Sequence, residues 1–391
     1  MEENNIETQV VHGGEQRFKY GNSITNPIFQ ASTYVFKDTD ELCSYMEGTL
    51  AREEYGRYGN PTLDVVESKL AHLDQGEEAL LFSSGMNAIC TTLFALLDNG
   101  SHMIITNNSY RRTRQFIMEI LSKFGIEYSL VDPNHEAIEK AIRPNTRLII
   151  SESPTNPYLR VLDLVKFVAV AKKHNVISMI DSTLSSPYNQ RPLDYGVDLV
   201  THSATKYLGG HNDLLAGVIV GNKSPIMDEI RLYRGILGGI LDANTSYLLI
   251  RGLKTFALRL KQQNKNGLIL AKHLEAHPKI VRVYYPGLES HPDYSTAKEQ
   301  LRGFGGLVSF EIDGDLKKTS QFIDQVKIPS IAPSLGGVES LIEQVCLVSY
   351  YDQTTEQRRE LGIKENLVRY AVGIEDVRDL IDDIDQALKK I

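Results

Sequence analysis

Between Ala79 and Ile180 the chain alternates short, uninterrupted apolar runs with stretches whose apolar residues recur at helical spacing. The runs are Ala79-Leu80-Leu81-Phe82, Met103-Ile104-Ile105, Tyr128-Ser129-Leu130-Val131, Leu148-Ile149-Ile150 and Val176-Ile177-Ser178-Met179-Ile180. A strand without polar alternation has no face to give to water, so both faces must be covered. Runs of this kind spaced by helices predict a parallel sheet with helices on either side. In such sheets ligands gather beyond the carboxyl ends of the strands. That edge is where the chemistry is expected.

The intervening segments carry their own punctuation. Asn60 is placed to cap a helix, with Pro61 at its first position and Leu63, Val66, Leu70 and Leu73 on one face. Ser83-Ser84-Gly85-Met86 opens a second helix running through Ile89, Leu93 and Leu97. A third carries Phe116, Ile117, Ile120 and Leu121 and stops near Gly125, and a fourth spans Leu164 to Ala171. The first 45 or so residues show no period and read as an irregular arm. After Gly221 the pattern changes: one long helical stretch, roughly Asn244 to Leu274, leads to a segment with Ile280–Tyr284, Leu307–Ile312 and a terminal helix through Val377, Leu380, Ile384 and Leu388. The expected division is an arm over 1–50, a large α/β domain over 51–245 and a smaller α+β domain over 246–391.

Composition narrows the function. The 391 residues include 42 Lys+Arg against 50 Asp+Glu, a net charge of −8, so a polyanion such as nucleic acid is not the expected partner. No apolar run approaches the ~20 residues that cross a bilayer, and the start, Met1-Glu2-Glu3-Asn4-Asn5-Ile6-Glu7, is acidic where a leader would be basic and apolar. Cys43, Cys90 and Cys346 have no CxxC or zinc spacing and read as small buried hydrophobes. A reduced, cytoplasmic protein without a metal site is expected.

Two residues at the expected strand ends carry chemistry. Asp181 follows the apolar run ending at Ile180; a carboxylate there needs a cation or a protonated heterocycle, or else serves as a turn cap with Ser182 and Thr183. Lys206 lies in Thr201-His202-Ser203-Ala204-Thr205-Lys206-Tyr207-Leu208-Gly209-Gly210. Most lysines are solvated, but one desolvated between apolar stretches becomes a nucleophilic amine. Ser203 and Thr205 offer hydroxyls to an anion, and Gly85 and Met86 sit at a helix N-terminus that favours one. Tyr55 and Arg57, in Tyr55-Gly56-Arg57-Tyr58-Gly59-Asn60-Pro61-Thr62, are a further anion clamp or simply solvated loop residues. Phosphate donors, an acid for a pyridinium nitrogen and an amine for an aldehyde together describe pyridoxal phosphate.

Four stretches extend this reading: Ser203-Ala204-Thr205-Lys206-Tyr207-Leu208-Gly209-Gly210-His211, Tyr55 to Thr62, Glu152-Ser153-Pro154-Thr155-Asn156-Pro157, and Ser334-Leu335-Gly336-Gly337-Val338-Glu339-Ser340. They resemble the Cys/Met-metabolism family of pyridoxal-phosphate enzymes, and the resemblance runs from about Thr8 to the C-terminus. Within it, Ser109-Tyr110-Arg111-Arg112-Thr113-Arg114 and Gly362-Ile363-Lys364-Glu365-Asn366-Leu367-Val368-Arg369 look most like the plant-type cystathionine γ-synthases. The resemblance implies the type I fold of these transferases, with a mostly parallel seven-stranded sheet in the large domain. It implies that Lys206 joins the cofactor aldehyde and moves protons, that Asp181 keeps the pyridine nitrogen protonated, and that Tyr110 stacks on the ring and assists. Gly85, Met86, Ser203 and Thr205 would hold the phosphate, with Tyr55 and Arg57 reaching in from a neighbouring subunit, and Asn156 would lie beside the ring hydroxyl. Arg369, with Ser334 and the backbone at Leu335, would take a substrate carboxylate. A shared site implies a dimer, and the family assembly is a homotetramer acting on small amino acids.

The implied reaction is γ-replacement on an O-acyl or O-phospho homoserine by cysteine, giving cystathionine for methionine biosynthesis. A cystathionine or methionine γ-lyase needs the same constellation. Arg111, Arg112 and Arg114 stand where the commoner family pattern has small residues after the tyrosine, so one of them, Arg112 foremost, is a candidate for a phosphate leaving group; on a helix carrying Phe116 and Ile120 they equally serve as solvated charges. Ser203 to Lys206 also satisfies S-x-x-K, but the S-D-N and K-T-G elements of penicillin-recognising enzymes are missing. Gly303-Phe304-Gly305-Gly306 falls short of a dinucleotide loop and precedes a strand.

Overall fold

The computed structural model describes residues 5–391; Met1 to Asn4, part of the acidic N-terminus, lie outside the described residues. The five apolar runs all become strands, β1 (Glu78–Phe82), β2 (His102–Thr106), β3 (Glu127–Val131), β4 (Thr146–Glu152) and β5 (Ile177–Asp181), joined by β6 (Leu199–Ser203) and β7 (Gly217–Gly221). They form one sheet in the order β1-β7-β6-β5-β4-β2-β3. Only β7 runs against its neighbours, so β1 through β6 point their carboxyl ends at one edge. Every residue of β2 and β7 is buried, as strands without a wet face require. The helices Pro61–Asp74 and Ala243–Leu253 cover one side of the sheet, and Gly85–Leu96 covers the other.

Local chemistry starts these helices where the spacing placed them. The Asn60 side chain accepts from the Thr62 N–H at 2.9 Å, with Pro61 in the first turn, and Ser84 accepts from the Asn87 N–H at 3.1 Å. Beyond Tyr110 the helix is not uniform: an α turn (Arg111–Gln115) passes through a π turn (Phe116–Ile120) into a 3-10 turn (Leu121–Phe124), ended by Gly125 at φ 75°. Such interruptions cluster at functional segments.

Three expectations need correction. The N-terminal segment is not irregular throughout. It contains helices Ile6–His12 and Thr39–Met46, and it is tied down by Lys69, whose buried ammonium lies 3.0 Å from Glu15 and donates to the Val10 and Val11 carbonyls. Burial opposes ionisation of Glu15, yet the Lys69 contact outweighs it and holds the carboxyl down at about 2. Helices of seven or eight residues show too few turns to display a period and depend on tertiary contacts. The long stretch after Asn244 is two helices, Ala243–Leu253 and Phe256–Glu275, broken at Thr255. There the buried Arg259 guanidinium takes the carbonyls of Gly252 (2.9 Å) and Tyr207 (2.8 Å), so the break braces the turn that carries Lys206. Cys43 is exposed, on a short helix with no buried residue, while Cys90 is half-buried and Cys346 buried.

The second sheet comprises β8 (Ile280–Tyr284), β9 (Leu307–Ile312), β10 (Ser330–Ile331), β11 (Leu341–Gln344) and β12 (Leu367–Ala371), in the order β10-β11-β12-β9-β8. All pairs are antiparallel except β10 with β11. The terminal helix Val377–Leu388 packs on it through Leu380, Ile384 and Leu388.

Candidate active site

The carboxyl edge of the first sheet collects the candidate residues because the parallel strands deliver them in turn. Gly85 and Met86 follow β1, Tyr110 follows β2, Asn156 follows β4, Asp181 ends β5, and Ser203, Thr205 and Lys206 end or follow β6. Glu152 and Asp181 are register partners across β4 and β5, and Asp181 pairs with Thr201 across β5 and β6.

Lys206 is half-buried and its ammonium donates to Ser334 Oγ at 2.7 Å. Burial, helped by the positive charge of Arg369, lowers this amine to about 8. The loop bearing Ser334 reaches it because Gly336, at φ 82°, lies against the Lys206–Tyr207 backbone; a Cβ there would meet the Tyr207 nitrogen at 2.6 Å. Ser334 itself stands at φ 93°, a strained setting for a serine. It is held from behind by Arg369, which donates to the Ser334 carbonyl at 2.9 Å. Arg369 is 5% exposed, 3.3 Å from the buried Glu343 carboxylate and 3.4 Å from Asn156 Oδ1, and its Nε has no partner. A guanidinium held on one side with an open N–H on the other suits a carboxylate.

Asp181 accepts from the Thr183 hydroxyl (2.6 Å) and the Thr183 N–H (3.1 Å), both at Oδ1; among the described residues nothing donates to Oδ2. Burial raises its pKa and the Thr183 bonds only partly offset that. A carboxylate so placed is short of a cation. From the next strand, buried His202 donates to Asp74 at 2.9 Å. Burial would discharge this imidazole, but the contact with Asp74 prevails and raises its pKa.

Gly85 and Ser203 form a close cradle: a Cβ at Gly85 would lie 2.9 Å from Ser203 Cβ. The twelve-residue helix Gly85–Leu96 aims its free N–H groups into that gap. Thr205 Oγ accepts from the Ala216 N–H at 3.1 Å, and Met86 Sδ accepts from the Thr113 hydroxyl at 3.7 Å.

Tyr110 is 44% exposed. It borders a cavity of about 250 Å³ with Arg111, Arg112, Asn156 and Tyr350. Arg111 is taken by Asp352. Arg112 bonds only the Gln115 amide, at 2.5 Å, and among the described residues has no carboxylate within 4 Å. The Leu335 side chain is packed in the main core, so it can offer a ligand only its backbone. Tyr55 and Arg57 are not gathered here. They line a different cavity with Phe29, Ala31 and Leu241, and Arg57 donates to the Gly235 carbonyl at 2.8 Å. Residues missed by the sequence reading are Glu343, behind Arg369, and the buried Glu152, which accepts the Tyr110 N–H. Glu152 ends an apolar strand as Asp181 does, and that signal was available.

Residues 7–389 match the profile of the Cys/Met metabolism PLP-dependent enzymes. The chain belongs to that family. It is 47% identical over 385 residues to cystathionine gamma-synthase 1, chloroplastic, of Arabidopsis thaliana, covering 97% of this chain and 68% of that one. It is 40% identical to cystathionine gamma-lyase of Bacillus subtilis strain 168, covering 98% and 99%. A crystal structure of cystathionine gamma-lyase from Lactobacillus plantarum complexed with L-serine matches with a TM-score of 0.92 at 36% identity, covering 99% of both chains. The fold is therefore that of these PLP enzymes, and pyridoxal phosphate is the cofactor of this family member. The glycine cradle at Gly85 and Ser203, the amine lowered to about 8 and the carboxylate short of a cation fit that group. Among the described residues no cluster of His, Cys, Asp or Glu is arranged for a metal, and no helix is long and apolar enough to cross a membrane.

Proposed function

We propose that this Cys/Met metabolism enzyme is a cystathionine γ-synthase, replacing the γ-substituent of an activated homoserine with the sulfur of cysteine. In the overall reaction the cysteine sulfur bonds to the γ-carbon, the γ-carbon–oxygen bond breaks, and the thiol proton leaves with the released acid. The observation that supports it is Arg112, without a carboxylate within 4 Å among the described residues, on the cavity that Tyr110 and Asn156 share. An O-phospho donor brings a dianion to that place, and a guanidinium beside it is the matching charge. The 47% and 48% identities to two chloroplastic synthases, against 40% and 38% for lyases, point the same way.

The cofactor, when bound, supplies an aldehyde that captures the substrate amine and a protonated ring that draws off electrons. Lys206 is its amine and the carrier of the protons moved at the α- and β-carbons, its lowered pKa letting it act as base and acid near neutrality. Asp181 Oδ2 would hold the ring nitrogen's proton. Tyr110 would stack on the ring, Gly85, Met86, Ser203 and Thr205 would hold the phosphate, and Asn156 would take the ring hydroxyl. Arg369 takes the donor's α-carboxylate with Ser334 and the Leu335 backbone fixing its position. Tyr55 and Arg57 complete the site of a second copy in a dimer, two dimers making a tetramer.

The test is a product assay with phospho-, acetyl- and succinyl-homoserine, each with and without cysteine. Cystathionine formed fastest from the phospho ester is expected. Preference for the succinyl ester removes the role of Arg112, and faster release of α-ketobutyrate from cystathionine or methionine than formation of cystathionine makes the protein a γ-lyase.

A further inference from the structure

A second, larger cavity of about 510 Å³ adjoins the first, with Asn156 and Tyr350 as shared walls. Arg114 lines it from the same helical turn as Tyr110, its N–H donating to the Tyr110 carbonyl at 3.2 Å. The side chain is 8% exposed and its Nε has no partner. Among the described residues no carboxylate lies within 4 Å of it, and its guanidinium bonds the Tyr350 hydroxyl. On the same cavity both amide atoms of Asn108 are buried and unpartnered. Of the other cations on the wall, Arg160 is taken by Asp293 and Lys364 by Glu311, while Arg282 is exposed and lies over the Tyr284 ring. The acid at the rim, Asp132, is exposed and accepts from Asn107 at 2.6 Å. Buried guanidinium N–H and amide groups left open are costly, and together they fit a carboxylate with one further polar group beside it.

Charge counting says which carboxylate. On the synthase reading, two amino acids meet at one centre, and Arg369 can neutralise only the donor's. Arg112 faces the leaving group. Among the described residues Arg114 is a further buried cation on the same cleft. Glu152, whose pKa burial and Asp181 raise, makes no ion pair with it within 4 Å.

We propose that the Arg114 cavity seats the carboxylate of the thiol acceptor, with Asn108 as its second contact, while Arg369 seats that of the donor. The inference rests on the synthase reading. It is tested on the holoenzyme by comparing cysteine with cysteamine, which has the same thiol and amine but no carboxylate, in wild type, Arg114→Gln, Arg114→Lys and Asn108→Ala. Wild type is expected to favour cysteine in kcat/KM by roughly 10- to 100-fold, the worth of a charge-assisted contact. Arg114→Gln should erase that preference through the KM for cysteine, with the donor KM moving much less. Arg114→Lys should restore part of it, and Asn108→Ala should lose a smaller part. A preference kept in Arg114→Gln, or a donor KM rising in step with that of cysteine, overturns the acceptor site. If Arg114→Gln fails to fold, an undiminished preference in both other variants does the same. A wild type that forms no thioether from any ester overturns the synthase reading itself, a result distinct from all of these.

Discussion

The two sides of the cleft are built differently. The cofactor side stands on strand ends: Asp181 closes β5, Lys206 follows β6 within three residues, and Arg259 braces the turn behind it. The substrate side stands on segments of mixed geometry, the α, π and 3-10 turns after Tyr110 and the Ser334 loop held at a positive φ by Arg369. A strand end fixed by ladder bonds on both sides holds one geometry. A short interrupted helix can exchange residues without disturbing the sheet.

The comparison predicts that losses on the cofactor side are large and independent of substrate. Lys206→Ala should lower kcat by at least about 10²–10⁴-fold with every ester, and borohydride should no longer fix the cofactor to the chain. Asp181→Asn should cost about a hundredfold in kcat, the scale of one removed charge-stabilising group, with donor KM little changed. On the substrate side, Arg369→Leu should raise the donor KM roughly tenfold or more while leaving the bound cofactor's absorbance intact. Arg112→Gln should be the mildest, lowering kcat/KM for the phospho ester about tenfold and sparing the acetyl ester. An Arg112 variant as inactive as Lys206→Ala, on all esters, would break the division between the two sides.

The lysine also carries a pH signature. Its amine, lowered by burial and by Arg369 to about 8, reacts only when neutral. The rate at which apoprotein takes up pyridoxal phosphate should therefore climb with pH below 8 and level off above it. An ordinary lysine would keep climbing toward its usual value near 10.4, and a rate still rising steeply at pH 9.5 would count against the desolvated setting.

Much of the cofactor side was legible without coordinates. The run ending at Ile180 is almost wholly apolar and Lys206 sits between two apolar stretches, so both were expected near a sheet edge, and Asp181 and Lys206 do lie there. The same logic applied to Ile150 would have reached Glu152. The caps at Asn60 and Ser84 are local hydrogen bonds and needed no tertiary information. The substrate side was less legible. Arg111, Arg112 and Arg114 are near neighbours in sequence, yet one is paired with Asp352, one borders the smaller cavity beside Tyr110, and one is buried in the larger cavity. Their fates depend on Tyr350 and Asp352, more than 200 residues away.

What the chain determined by itself was the layered sheet, the positions of its reactive edge and the identity of the cofactor, because strand burial, helix caps and the lysine motif are encoded within short stretches. What only the tertiary structure decided was which charges remain unspent: among the described residues no carboxylate comes within 4 Å of Arg112 or Arg114, whereas Arg111 is taken by Asp352 and Arg369 is backed by Glu343. Pairing over such separations depends on packing, which no local pattern of residues records.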